Sequence, residues 1–251
     1  MAFLSPDNVR YDNGVKICEK IIPDSAVWNR DVKEGGYTYR KGTTYKANRP
    51  LSAIKGVTIH NTGRIKIPNG TTMAEQYTRA TYPNCNMGSV RVHYYVDENE
   101  AWQNLDEGEV GWHAADGNYG PGNSTTIAIE IIMDGTDAEY NRIAEDNGAR
   151  LCAAILKRHG LDETAVYQHH DWYARKDCPV YIRPHWSAFL ALVRQYINDD
   201  TQVPSDYDKL VAELEEIKEK YRTEHASAQA LRGRILAAVE QYDTAAYDKE
   251  G

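Results

Sequence analysis

The stretch Thr126–Met133, TIAIEIIM, does most to limit what this chain can fold into. Extended, it puts Ile127, Ile129 and Ile131 on one side and Ala128, Glu130 and Ile132 on the other, the signature of a strong strand. Gly56–His60 reads as a second, buried strand, ended by the turn residues Asn61, Thr62 and Gly63. Val90–Val96 alternates with Val90, Val92, Tyr94 and Val96 on one face, and Ala101–Leu105 is its expected hairpin partner. Helical signals lie between these segments. Thr72 and Glu75 fit a capping box ahead of Met73, Tyr77 and Ala80. Apolar residues at helical spacing predict a helix over Tyr140–His159, and Trp186, Phe189, Leu190, Val193 and Ile197 form the stripe of a closing helix. Val166–His169 reads as a short strand running into a loop. Strands interleaved with helices point to an α/β domain with a single central sheet.

The 251 residues suit one substantial domain with an appendage. Residues 1–50 are mixed and polar, with turn signals at Asp12-Asn13-Gly14 and Gly35-Gly36, and are expected as an extension packed on a core domain of residues 51–198. Residues 199–206 read as a linker with a proline stop at Pro204. From Tyr207 to Tyr242 apolar residues recur at alternating steps of three and four, broken at Glu224. That is a heptad seam, so residues 207–251 are expected to form a coiled-coil-like helical tail that self-associates or attaches to a partner.

Composition removes several functions. A net charge of −8 argues against nucleic-acid binding, which depends on clustered Lys and Arg. No apolar run is long enough for membrane insertion. Met1–Arg10 lacks the cationic start and apolar run of a secretory signal. The four cysteines, Cys18, Cys85, Cys152 and Cys178, form no CxxC pair, so neither a disulfide scaffold nor a zinc finger is indicated. Eighteen tyrosines stand against two phenylalanines, a bias that suits sugars and other polar polymers and equally suits half-buried packing.

Three segments contain histidines that could carry chemistry: His60 at the end of a strand, His113 in Gly-Trp-His-Ala, and His169 ahead of Lys176-Asp177-Cys178-Pro179. A catalytic zinc site takes three nitrogen or sulfur ligands and leaves a position open to water, which two histidines and a cysteine could supply. The same residues also fit core histidines and a free buried cysteine. Glu130, between Ala128 and Ile132, is partly desolvated, and its carboxyl pKa is thereby raised toward that of a general base; a strand-edge carboxylate facing water is the alternative.

Ile59-His60-Asn61-Thr62, Gly111-Trp112-His113-Ala114, Ile127-Ala128-Ile129-Glu130-Ile131 and His169 to Pro179 occur in that order. Together, over about residues 50–197, they resemble the type 2 N-acetylmuramoyl-L-alanine amidases of the phage lysozyme and peptidoglycan-recognition-protein superfamily, many of them endolysins and autolysins. The resemblance implies a mixed sheet flanked by helices, bacterial peptidoglycan as partner, and zinc (Zn2+) held by His60, His169 and Cys178. It implies Glu130 as the catalytic base, Lys176 beside the developing oxyanion, and His113, Asn61 and Thr62 along the substrate groove. Cys178 follows His169 by nine positions, one more than in many relatives. His170 would restore the spacing but loses the acid two positions on, Asp171, so His169 is the implied ligand. The resemblance leaves two other readings, a non-catalytic wall-binding module and a cytoplasmic amidase recycling muropeptides. An endolysin made in the host cytoplasm and released onto the wall is the expectation.

Overall fold

A computed structural model describes residues 4–65 and 70–199. In chain order its elements are β1 (Asn8–Asp12), β2 (Val15–Glu19), β3 (Val32–Glu34), β4 (Tyr37–Tyr39), β5 (Gly56–Gly63), α1 (Met73–Thr81), β6 (Tyr94–Val96) and β7 (Ala101–Gln103). They continue with α2 (Pro121–Thr125), β8 (Thr126–Met133), α3 (Ala138–Arg158), β9 (Val166–Gln168), α4 (His169–Trp172) and α5 (Trp186–Asn198). Seven strands make one mixed sheet in the order β1-β2-β7-β6-β8-β5-β9. At its centre β8 runs parallel to both β5 and β6. The expected α/β architecture, a mixed sheet flanked by helices, is what the chain adopts.

The central pair is held by apolar side chains on one face. Ile59 pairs with Ile129, and Ile127, Ile129 and Ile131 are fully buried. Burying each such side chain contributes about 1.5–3 kcal/mol. Helix α3 covers this face, with Asp137 capping it by accepting the Tyr140 N–H at 3.0 Å. On the other face α1 packs through Tyr77, whose ring stacks on Tyr95 with centroids 5.3 Å apart. Thr72 caps α1 by accepting the Glu75 N–H at 3.1 Å, and the Glu75 carboxylate takes the Leu4 N–H at 2.8 Å.

Four details depart from the sequence reading. β5 continues through Asn61, Thr62 and Gly63, because β8 runs beside it as far as Met133. β6 is shorter than Val90–Val96: Ala128 donates its N–H to His93 Nδ1 at 3.0 Å, so a side chain takes the place of a ladder bond. His169 opens a short helix instead of a loop. Residue 50 marks no edge in the sheet, since β1 and β2 join it through parallel pairing of β2 with β7.

Beyond β2 the chain forms a separate two-stranded ribbon, β3–β4, turned by Gly35 and Gly36 at φ of 55° and 80°. A second apolar cluster lies beneath it, around Ile22, Trp28, Tyr45, Cys85 and Leu105. Among the described residues no helix is long and apolar enough to cross a membrane. The heptad tail and most of the linker before it lie outside the described residues.

Candidate metal centre and active site

The register of β5 and β8 assembles the site. His60 pairs with Glu130, so both side chains leave the same face of two adjacent parallel strands. Tyr95, paired with Glu130 from β6, joins them. The α4 turn then delivers His169 to the same place. Trp172 at its end donates its indole N–H to Thr58 Oγ1 at 2.9 Å, and Asp171 Oδ2 accepts the Gln168 N–H at 2.8 Å.

His60 Nδ1 faces His169 Nδ1 at 3.0 Å, and Cys178 Sγ lies 3.9 Å from His60 Nδ1. One donor atom from each of the three buried residues falls within 4.8 Å of the others. Burial, with neighbouring His113 and His169 and the charge of Lys176, holds His60 well below the usual imidazole range. Burial and Lys176 bring His169 down to about 4. Both rings are therefore neutral near pH 7. Their facing lone pairs repel unless a proton or a cation is shared. Burial and the nearby Glu130 push the Cys178 thiol up to about 12, so it stays protonated until a cation draws the proton off. Two neutral imidazoles and a thiol make a donor set that fits zinc.

Glu130 lies beside this cluster. Its Oε2 is buried with no hydrogen-bond partner. Burial raises the carboxyl to about 8, against the pull of Lys176. A carboxyl in that range can both take and return a proton near neutral pH. Lys176 itself is exposed and lines the groove that opens over the cluster.

The other expected site residues divide. His113 lines the groove, with Nδ1 at 3.2 Å from His60 Nε2 and its backbone N–H donated to Asn123 Oδ1 at 2.8 Å. Asn61 faces inward instead of lining the groove. Its backbone N–H reaches Cys178 Sγ at 3.5 Å, its side-chain amide donates to Ile131 O at 3.1 Å, and its Oδ1 accepts the Tyr181 N–H at 3.0 Å. It braces the Cys178 segment against the sheet. The Thr62 hydroxyl is likewise engaged inside the protein, with Tyr77 Oη at 3.1 Å. His170 turns away, half-buried, with Nδ1 against Lys176 O at 3.0 Å.

Sequence reading missed Asn123, which orients His113 and Ala114 through their backbone N–H groups, each at 2.8 Å. It also missed His93, whose Nε2 meets Glu109 O at 2.8 Å. Nothing in the Gly- and Asn-rich loop around Asn123 singles that residue out.

A mixed sheet carrying a buried His, His and Cys cluster beside a strand carboxylate has the make-up of an α/β enzyme with a candidate metal site. Residues 50–181 match the N-acetylmuramoyl-L-alanine amidase family, and the chain belongs to that family. It is 32% identical over 145 residues to the N-acetylmuramoyl-L-alanine amidase CwlH of Bacillus subtilis, a match covering 57% of this chain and 55% of CwlH. The catalytic domain of XlyA superposes with a TM-score of 0.55 at 26% identity, over 71% of this chain and 99% of that domain. A mutant endolysin from Bacillus subtilis does so with a TM-score of 0.55 at 27% identity, again over 71% and 99%. The chain spans about half the length of the curated relatives it matches.

Proposed function

We propose that this protein hydrolyses the amide bond between N-acetylmuramic acid and L-alanine in bacterial peptidoglycan, with zinc held by His60, His169 and Cys178. One observation carries the reading: the β5–β8 register puts a carboxyl, whose buried Oε2 has no hydrogen-bond partner, next to a buried three-donor cluster of which His169 lines a groove. When bound, zinc supplies the Lewis acidity that makes water a nucleophile near neutral pH. Glu130 takes the proton from the attacking water and returns it to the leaving amine of L-alanine. The Lys176 ammonium offsets negative charge growing on the carbonyl oxygen. His113, on the groove wall, orients the muramoyl–peptide junction.

A wall-binding module without activity has no use for a desolvated carboxyl beside the cluster, so Glu130 and Cys178 favour the enzyme. Of the two enzymatic settings, likeness to an endolysin favours attack on intact wall after release from the cytoplasm over recycling of muropeptides. The heptad-patterned residues 207–251 would serve oligomerisation or wall attachment.

The test is release of new L-alanine amino termini from purified peptidoglycan. Chelation should abolish release and added zinc should restore it. Glu130→Ala should lose at least about a hundredfold in turnover while retaining one zinc per chain by metal analysis. Near-normal release by that variant would remove Glu130 as the base, and chelator-resistant release would remove the metal.

A further inference from the structure

The groove over the metal cluster does not end at the family domain. It encloses about 1050 Å³ and is lined by His113, His169 and Lys176 as well as by Tyr37, Tyr39 and Arg40. The second wall comes from residues 34–48, which precede the family match at residue 50. This wall is built to keep its shape. Tyr39 stacks on the buried Trp28 at 5.0 Å and 28°, and Trp28 meets Tyr45 edge-on at 4.8 Å. The Arg91 guanidinium lies over the Tyr45 ring at 3.3 Å, and its Nε donates to Tyr45 O at 2.8 Å. Glu34 fastens the ribbon to the domain by accepting the Ser89 N–H at 2.6 Å.

Tyr37, at the rim, is 63% exposed, with its ring set edge-on to Tyr39 at 4.8 Å. Thr38, Thr43, Thr44 and Asn48 line the same groove with hydroxyl and amide groups. Of the charges on this wall the two cations are paired, and the Glu34 carboxylate is held by the Ser89 N–H. Lys46 is buried between Asp24 at 2.8 Å and Glu109 at 2.7 Å, and Arg40 pairs with Asp31 at 2.7 Å. An aromatic face among uncharged donors and acceptors matches a neutral sugar, whose C–H face covers a ring while its hydroxyl and acetamido groups find hydrogen bonds. A stem peptide, with free carboxylates and amines, would call for unpaired charges instead.

We propose that residues 34–48 form a saccharide subsite for the glycan strand flanking the muramoyl residue that is cut, with Tyr37 as its stacking platform. The proposal rests on the amidase reading for what the rest of the groove holds. It makes the enzyme selective for intact glycan over isolated muramoyl peptide, because the added sugars contribute binding remote from the bond that breaks.

The first probe is the β-1,4-linked tetramer of N-acetylglucosamine, which has no muramoyl–alanine bond, titrated calorimetrically into the full chain. The wild type should bind it. Tyr37→Ala should weaken binding about tenfold, equivalent to about 1.4 kcal/mol, and Tyr37→Trp should preserve it. The Tyr37 ring is mostly in solvent, so unchanged thermal melting will mark both variants as folded. In hydrolysis, Tyr37→Ala should raise KM about tenfold on a tetrasaccharide carrying the stem peptide, with kcat unchanged, and leave a single muramoyl peptide unaffected. Failure of the wild type to bind the tetramer, or equal binding by Tyr37→Ala, overturns the subsite. Tetramer binding lost in Tyr37→Ala by a protein that hydrolyses neither substrate would uphold the subsite and reject the amidase reading.

Discussion

His169 and His170 are chemically identical neighbours, and the backbone alone separates their roles. Asp171 accepts the Gln168 N–H and fixes the first turn of α4, which leaves His169 Nδ1 facing His60 and sends His170 out to Lys176 O. The acid two positions after the histidine therefore acts by capping a turn. Loop spacing alone could not distinguish the pair. His169→Ala should lower zinc content to well under half an equivalent, whereas His170→Ala should retain a full equivalent. Metal analysis after exhaustive dialysis reads this directly, and zinc lost equally from both variants would count against the assignment. The roles of Asn61 and Thr62 were not legible for a related reason. A polar residue at a strand end looks the same in sequence whether it meets substrate or, as Asn61 does, the neighbouring strand and the Cys178 segment.

At the scale of elements, long patterned segments could be read directly and short ones could not. TIAIEIIM forms β8 as drawn, and the helical spacing from Tyr140 falls within α3. β9 and β6 have three residues each, too few for periodicity to fix their ends, and side chains decide those ends instead. The most exacting contact is where β5 begins. A Cβ on Gly56 would stand 2.1 Å from Ala165 O, a backbone atom that cannot step aside without moving β9. Gly56→Ala should cost about 1–3 kcal/mol of stability. Because β5 carries His60 and β9 leads into His169, the same variant should bind zinc more weakly. An unchanged urea midpoint would mean that the β5–β9 spacing is not as tight as this contact implies.

At the scale of the whole molecule, one of the ties between the first strands and the rest is a carboxylate far from them in sequence, and no local pattern could announce it. Glu107 accepts the Tyr94 hydroxyl at 2.8 Å and Arg158 Nη2 at 2.9 Å, and its Oε2 lies 2.7 Å from His159 Nε2. Arg158 also reaches Asp12 at 3.1 Å, so β1, β6 and the end of α3 meet at this point. Burial alone would push the Glu107 carboxyl up, but the Arg158 guanidinium and the hydrogen bonds from His159 and Tyr94 outweigh it and hold it below its usual value. A carboxylate depressed in the folded state adds stability above its unfolded pKa, and that stability is lost as pH falls through the folded value. Glu107→Gln keeps the shape and removes the charge, so at pH 7 it should cost about 1–3 kcal/mol in urea unfolding. The gap between variant and wild type should close as the pH is lowered from about 5 to about 3. A gap that persisted at low pH would assign the contribution to packing and hydrogen-bond shape, and the ionic tie between the first strands and α3 would have to be abandoned.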